Sequence, residues 1–304
     1  MPFVLRPASA VPLAAAALVL LGLSASRAQL PDATRQDTPS SPVVSRFRPS
    51  TDPSATAITR HPLEAVIQYA RREQNYLKGL VNDFTCRLVK RERIGGFLQD
   101  MQYIDMQVRE EIVADGRLVQ PLSIYMHFLG PKLVAGRRVI YVKGQNEGKM
   151  LVRNGGRHFD YVIVRLDPDG ENAREETLVP ITEIGFTQLL GKMIDVLKRH
   201  QKADPGGENT LAERITGAKI ENRPCTVIRV THPQPKSGLE FHVANVFVDN
   251  ELHVPVRVDY SDWPKYPRGP VPLIAEFTYT NLKLNQNLPD AAFGSKRLRS
   301  IRDP

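Results

Sequence analysis

Cysteine is scarce in this 304-residue chain: Cys86 and Cys225 are its only two. Neither lies in Cys-x-x-Cys nor beside a histidine in sequence, which counts against a catalytic thiol. The seven histidines (His61, His127, His158, His200, His232, His242 and His253) form no His-Glu-x-x-His and no local zinc spacing with a cysteine. His232 and His242 can meet across a hairpin, as ordinary core or surface histidines do. Gly-x-Ser-x-Gly is absent. Residues 144–150 mimic a phosphate loop, but the glycine spacing is one residue short and Met150 stands where a hydroxyl is needed. Asp167, Asp169 and Glu171 begin like a calcium loop, yet Asn172 takes the glycine position and Leu178 the twelfth. Glu110-Glu111 and Glu175-Glu176 are adjacent, so on a strand they face opposite sides and cannot cooperate as acid and base. No metal, no cofactor and no catalytic residue is expected.

Long apolar runs are equally rare. The longest covers residues 11–23, too short for a comfortable span of ~20 residues. It follows Arg6 and precedes Ser26-Arg27-Ala28, the order of a secretory signal over residues 1–28 with cleavage after Ala28. The competing reading is an uncleaved anchor in the inner membrane. No cysteine lies at the cleavage site, so it is not a bacterial lipoprotein signal. Residues 29–59, with Pro31, Pro39, Pro42, Pro49 and Pro53, read as a disordered linker, and 296–304 as a basic tail. One domain of 236 residues remains, 60–295. Hydrophobic content of 41% with 24% charge excludes a disordered chain or a multi-pass membrane protein. The destination is the periplasm or the cell surface. In that oxidising space Cys86 and Cys225 are expected to form a disulfide, the alternative being two buried thiols.

The charge is +8, and removal of Arg6 and Arg27 leaves 39 bases against 33 acids. Scattered surface charge accounts for this; the sharper reading is attraction to an anionic membrane surface. No helix-turn-helix, zinc-finger or RNA-binding sheet signature accompanies it, so nucleic acid is not an expected partner.

Periodicity predicts a helix over 62–80, started by Pro62. Alternating segments then follow turn by turn: Ile104, Met106, Val108 and Ile112 on one face, and Leu122, Ile124, Met126 and Phe128 on the next. A helix over 182–202, capped by Thr182, carries the stripe Phe186, Leu189, Leu190, Met193, Ile194 and Leu197. Strands resume at 214–220, 224–231, 241–248, 252–260 and 272–284. The aromatic, proline-rich loop around Trp263 reads as a plug on the mouth of the sheet or as a recognition surface. About ten antiparallel strands with two helices make an α+β fold: a strongly curved antiparallel sheet, or half-barrel, with helices covering its concave face.

Three stretches resemble a bacterial envelope family, the domain-of-unknown-function family numbered 1571: Leu88 to Ile94, Phe128 to Lys132 with Gly136-Arg137, and Gly144 to Lys149. Ile181 to Gly185, Arg223 to Ile228, and Val248-Asp249 with Pro255 to Arg257 carry the resemblance onward. More distantly, the order of meander, mid-chain helix, Asp249-to-Pro255 hairpin and Tyr279-to-Phe293 ending is similar to the outer-membrane lipoprotein carrier (LolA-like) superfamily. That resemblance implies a half-barrel over an apolar cavity. The expectation is therefore an exported, non-enzymatic envelope protein that binds a lipid acyl chain or lipoprotein beneath helix 182–202. A sensor or scaffold acting through protein contacts is one alternative, and an unrecognised envelope hydrolase another. The two strand faces and the helix stripe named above are the expected cavity lining, with a solid core as the competing reading.

Overall fold

The computed structural model describes residues 43–46, 61–155 and 162–299. The expected signal and His158 lie outside the described residues. The strands are β1 (Val43–Arg46), β2 (Asp83–Ile94), β3 (Phe97–Leu98), β4 (Gln102–Arg109), β5 (Ile112–Ala114), β6 (Arg117–Gln120), β7 (Ser123–Gly130) and β8 (Arg138–Val142). They continue with β9 (Met150–Arg153), β10 (Ile163–Leu166), β11 (Leu211–Ile220), β12 (Arg223–Thr231), β13 (Val243–Asp249), β14 (Pro255–Ser261) and β15 (Leu273–Leu284). The helices are α1 (Pro62–Leu77), α2 (Glu171–Arg174), α3 (Phe186–Ala203) and α4 (Lys296–Arg299).

Among the described residues, thirteen strands form one antiparallel sheet in the order β1-β11-β12-β13-β14-β15-β2-β4-β7-β8-β9-β10, with β3 beside β2. β5 and β6 make a separate ribbon. The fold class is the one expected. Its sheet is open, because β1 and β10 are edges and do not pair with each other. It is also strongly curved. Ile228 on β12 and Val152 on β9 line one cavity of about 710 Å³. Eight strand spacings separate them, ~38 Å along a flat sheet, yet both border the same cavity. Curvature alone brings them together.

Both long helices lie against this sheet. Pro62 opens α1, and His61 Nδ1 accepts from the Leu63 amide at 3.1 Å. Leu63, Val66, Ile67 and Ala70 of α1 pack with Ile194 and Leu197 of α3 over Ile228, Val230 and Val246 of the sheet. The helix stops at Leu77 rather than residue 80, because Lys78 is extended and Gly79 takes φ +83°.

Several expectations shift. The alternating run from Tyr103 to Ile112 is not one strand. β4 ends at Arg109 because the Glu110 side chain turns inward, leaving Ile112 on the β5–β6 ribbon. The expected linker supplies β1, which pairs Val43 with Thr216 and Arg46 with Glu213 on β11. The expected tail begins with α4, whose Leu298 is fully buried against Tyr125, Ile140 and Phe293.

The disulfide is not made: Cys86 and Cys225 are both free and buried. Cys86 is on β2 and Cys225 on β12, with β13, β14 and β15 between them in the sheet. Burial pushes both thiols up, so neither has thiolate character. They are core residues.

The β13–β14 turn depends on Asp249, which is fully buried. Its Oδ1 accepts from the Glu251 and Leu252 amides, each at 2.9 Å, and Arg223 forks onto both oxygens. Burial works to raise this carboxyl, but Arg223 and the two amides together hold it below the usual range. Asp249→Ala removes the acceptor for two amides and should cost ~2 kcal/mol, read as a lower urea midpoint at unchanged m-value.

Candidate functional site

The concave face changes character along the strands. Register places Phe84, Val108 and Ile124 in one row across β2, β4 and β7. Cys86, Met106 and Met126 form the second row, and Leu88, Ile104 and Phe128 the third. Lys90 and Gln102 form the fourth. The first row is sealed by α3: Phe186 stacks on Phe84 at 4.4 Å and tilts against Tyr279 at 5.5 Å. From Met126 of the second row and the whole third row onward, the sheet lines the cavity beneath α3.

This gradient divides the expected lining. Ile104, Met126, Phe128, Leu189, Leu190, Met193 and Leu197 line the cavity. Met106, Val108, Leu122, Ile124 and Phe186 are instead packed in the solid core beside it. Ile194 turns toward α1. Ile112 is remote, on the ribbon.

The helix start differs from expectation. Thr182 lies in a short 3₁₀ turn, and the N-cap of α3 is Gly185 at φ +116°. A side chain there would put its Cβ 2.4 Å from Gln188 Oε1 and 3.2 Å from Glu110 Oε2. The backbone also needs the positive φ that glycine tolerates. Glu110 supplies the cap from the end of β4: its carboxylate accepts from the Phe186 amide at 2.5 Å and the Thr187 hydroxyl at 2.6 Å. Burial raises this carboxyl, and those hydrogen bonds pull it back only in part.

α3 is fastened along its length. Gln74 of α1 donates to the Thr187 carbonyl at 2.8 Å, Lys192 pairs with Glu183 at 2.6 Å, and Arg199 pairs with Glu240 at 2.7 Å. Its last turn is held by a fully buried pair, His200 Nδ1 to His232 Nε2 at 2.9 Å. The expected meeting of His232 and His242 also occurs, through His242 Nδ1 and the His232 carbonyl at 2.9 Å. Trp263 donates to that same carbonyl at 2.8 Å and packs there.

One wall was not anticipated. Residues between β10 and α3, among them Pro168, Ala173, Thr177, Leu178, Val179 and Ile181, close one side of the cavity. The segment has neither helical nor strand periodicity; its only signals are the Asp167-Pro168-Asp169-Gly170 turn and the apolar run 178–181. It is pinned by Glu92, which accepts from the Leu178 amide at 2.9 Å and the Thr177 hydroxyl at 3.1 Å, and by the ion pair of Arg137 with Glu176. The opposite wall comes from Val66, Tyr69 and Ala70 of α1 and from Ala244, Val258 and Tyr260 of the distal sheet.

Among the described residues, no three His, Cys, Asp or Glu side chains are arranged to hold a metal. No helix there is long and apolar enough to cross a membrane.

An open, curved antiparallel sheet roofed by a fixed helix over a largely apolar cavity defines the class. The family described as a protein of unknown function (DUF1571) matches residues 81–298, and the chain belongs to it. No curated protein matches the chain. Similar solved structures include a DUF1329 family protein from Desulfovibrio piger, 15% identical, covering 79% of this chain and 100% of that one at TM-score 0.36. A LolA superfamily protein from Nitrosomonas europaea is 10% identical over 76% and 98%, at TM-score 0.34. The lipoprotein LppX of Mycobacterium tuberculosis is 13% identical over 74% and 98%, at TM-score 0.35.

Proposed function

We propose that this chain is an exported, non-enzymatic cell-envelope protein that binds an acyl chain of a lipid or lipoprotein in the cavity beneath α3. The cavity itself carries this reading. At about 710 Å³ it lies within the ~300–1,000 Å³ of small-molecule sites. An apolar cavity of ~150 Å³ admits one benzene ring, so on that scale this one has room for roughly 28 carbon atoms. That is one long acyl chain or two short ones. Each methylene transferred from water contributes about 0.8 kcal/mol. Met126 and Met193 on facing walls supply adaptable surface for chains of differing length.

Ala244 tests the reading. It lies on β13, opposite Val230 on β12 and Tyr260 on β14, and all three line the cavity. Ala244→Trp fills space from the wall without removing a core contact. Wild-type protein purified without detergent should release lipid detectable by mass spectrometry. The variant should carry at least tenfold less at a Tm within a few degrees of wild type. Wild type free of lipid, or a variant retaining all of it, would defeat the acyl-chain reading.

A further inference from the structure

Among the described residues the two most exposed large apolar side chains, Leu133 at 93% and Phe97 at 76%, stand at the same end of the sheet. Register puts the β2–β3 turn, the β7–β8 loop (131–137) and the β14–β15 loop (262–272) at that end. There Arg93 faces Leu98, Tyr103 faces Gly130 and Ser261 faces Leu273. Arg93 joins the first loop to the third, its Nε donating to the Leu273 carbonyl at 2.9 Å. β7 lies two strand spacings from β2, ~10 Å away.

Each of the three carries an exposed apolar side chain and a base. Phe97 follows Arg93 around the β2–β3 turn, and Leu133 follows Lys132. In the β14–β15 loop Tyr266 follows Lys265, and Val271 follows Arg268. Trp263 is turned inward onto the His232 carbonyl, so the start of this loop is packed while Tyr266 and Val271 face solvent.

These bases are not neutralised. Arg93 donates to the carbonyls of Leu273 and Gly96, and Lys132, Lys265 and Arg268 form no ion pair among the described residues. Against the four bases the same loops hold two acids, Asp100 and Asp262. The opposite end of the sheet differs. Its β5–β6 ribbon also exposes Val113, Leu118 and Val119, but the single base there, Arg117, is matched in number by Asp115.

Apolar tips among unneutralised bases fit one surface chemistry. Aromatic and apolar side chains enter the head-group layer of a bilayer, and each Lys or Arg adds attraction to anionic lipids. Tips on separate turns suit a fluid layer, which closes around each of them. The cavity reaches this end as well. Arg137 at the root of the β7–β8 loop, together with Lys90, Gln102 and Asn154, carries the lining here, while Phe186 seals the first row at the other end.

We propose that this end of the sheet docks on an anionic bilayer, with its apolar tips in the head-group layer and its four bases against the anionic lipid heads. Docking of this kind stands on the loops alone and does not depend on what fills the cavity.

An environment-sensitive dye, attached in separate variants at Leu133→Cys, Phe97→Cys and Leu118→Cys, shows which end meets the lipid. Cys86 and Cys225 are buried and do not compete for it. Vesicles of phosphatidylglycerol and phosphatidylcholine in equal parts should shift the emission to the blue at positions 133 and 97 and leave position 118 unchanged. Phosphatidylcholine alone should shift none of them at the same lipid concentration. Adding Lys265→Glu and Arg268→Glu, both at exposed positions, should raise the lipid concentration at half-change by at least about tenfold. No shift at 133 and 97, or an equal shift at 118, overturns the docking end. So does a half-change that ignores either the charge reversal or the phosphatidylglycerol.

Discussion

Truncating Phe186 to alanine should lower stability by about 4 kcal/mol, whereas Leu189→Ala, one turn along the same helix stripe, should change it by less than about 1 kcal/mol. Both residues belong to the apolar face of α3, and helical spacing alone makes them equivalent. The sheet beneath distinguishes them. Phe186 is 1% exposed and sits between Phe84 and Tyr279, where the first row of the concave face is closed. Removing its ring leaves a void that Glu110, fixed on the Phe186 amide and the Thr187 hydroxyl, prevents the helix from filling. Leu189 is half-buried and projects into a cavity that already exists, so its truncation enlarges that cavity and gives up fewer contacts. Urea titration of the two variants measures the contrast. Equal losses would mean that α3 is packed alike along its length, and the distinction between sealed and open ends would fall.

That contrast also marks how far the sequence can be read. The stripe on α3 and the alternation of β4 and β7 follow from periods of 3.6 and 2, which local patterning preserves. Whether two such faces meet tightly or stand apart depends on register between strands distant in sequence and on sheet curvature, which no single segment encodes. Met106 and Met126 illustrate this: they are cross-strand neighbours in the same core cluster, yet only Met126 also reaches the cavity. Glu110 was legible only as a charge in a strand. Its role as the cap of α3 needs Gly185 brought to it across 75 residues. The wall at 167–184 has no period to detect, since its backbone is held by side chains of Glu92 and Arg137 instead of a ladder. Cys86 and Cys225 show the opposite failure. The expected compartment and their even number favoured a bond, but three intervening strands separate them.

Stability should fall by about 3 kcal/mol or more as the pH is lowered from ~6.5 to ~4, and His200 and His232 are the cause. The Glu240 amide donates to His200 Nε2 at 3.1 Å, so the neutral ring carries its proton on Nδ1 and gives it to His232 Nε2 at 2.9 Å. His232 then donates from Nδ1 toward the Asn209 carbonyl at 3.2 Å. Thr210, also 3.2 Å from that nitrogen, donates its hydroxyl to Asp204 at 2.8 Å. Every ring nitrogen is committed. An added proton must point at the Glu240 N–H or at the other imidazole's N–H. Burial pushes His200 down to about 4, with His232 acting in the same direction, and burial also lowers His232. Glu240 works against the shift at His200 and Arg199 reinforces it. Around His232, Asp204 opposes the shift while His61 and His242 add to it. Asp204 itself is held below the carboxylate range by Thr210 and Lys236 despite its burial, so it stays ionised across this window. The sign follows directly. Below its unfolded pKa of ~6.5 the unfolded chain takes up a proton that the folded chain refuses, so stability is full above that pH and is lost on acidification. For His200 the difference of ~2.5 pH units corresponds to about 3 kcal/mol, and His232 adds in the same sense. Urea unfolding at pH 7, 5.5 and 4.5 measures the slope. His200→Leu should be less stable than wild type at pH 7, because the Glu240 amide loses its acceptor, yet its dependence on pH should be shallower by about one proton. A wild-type midpoint that stays constant across this window would show that the histidine pair titrates alike in both states.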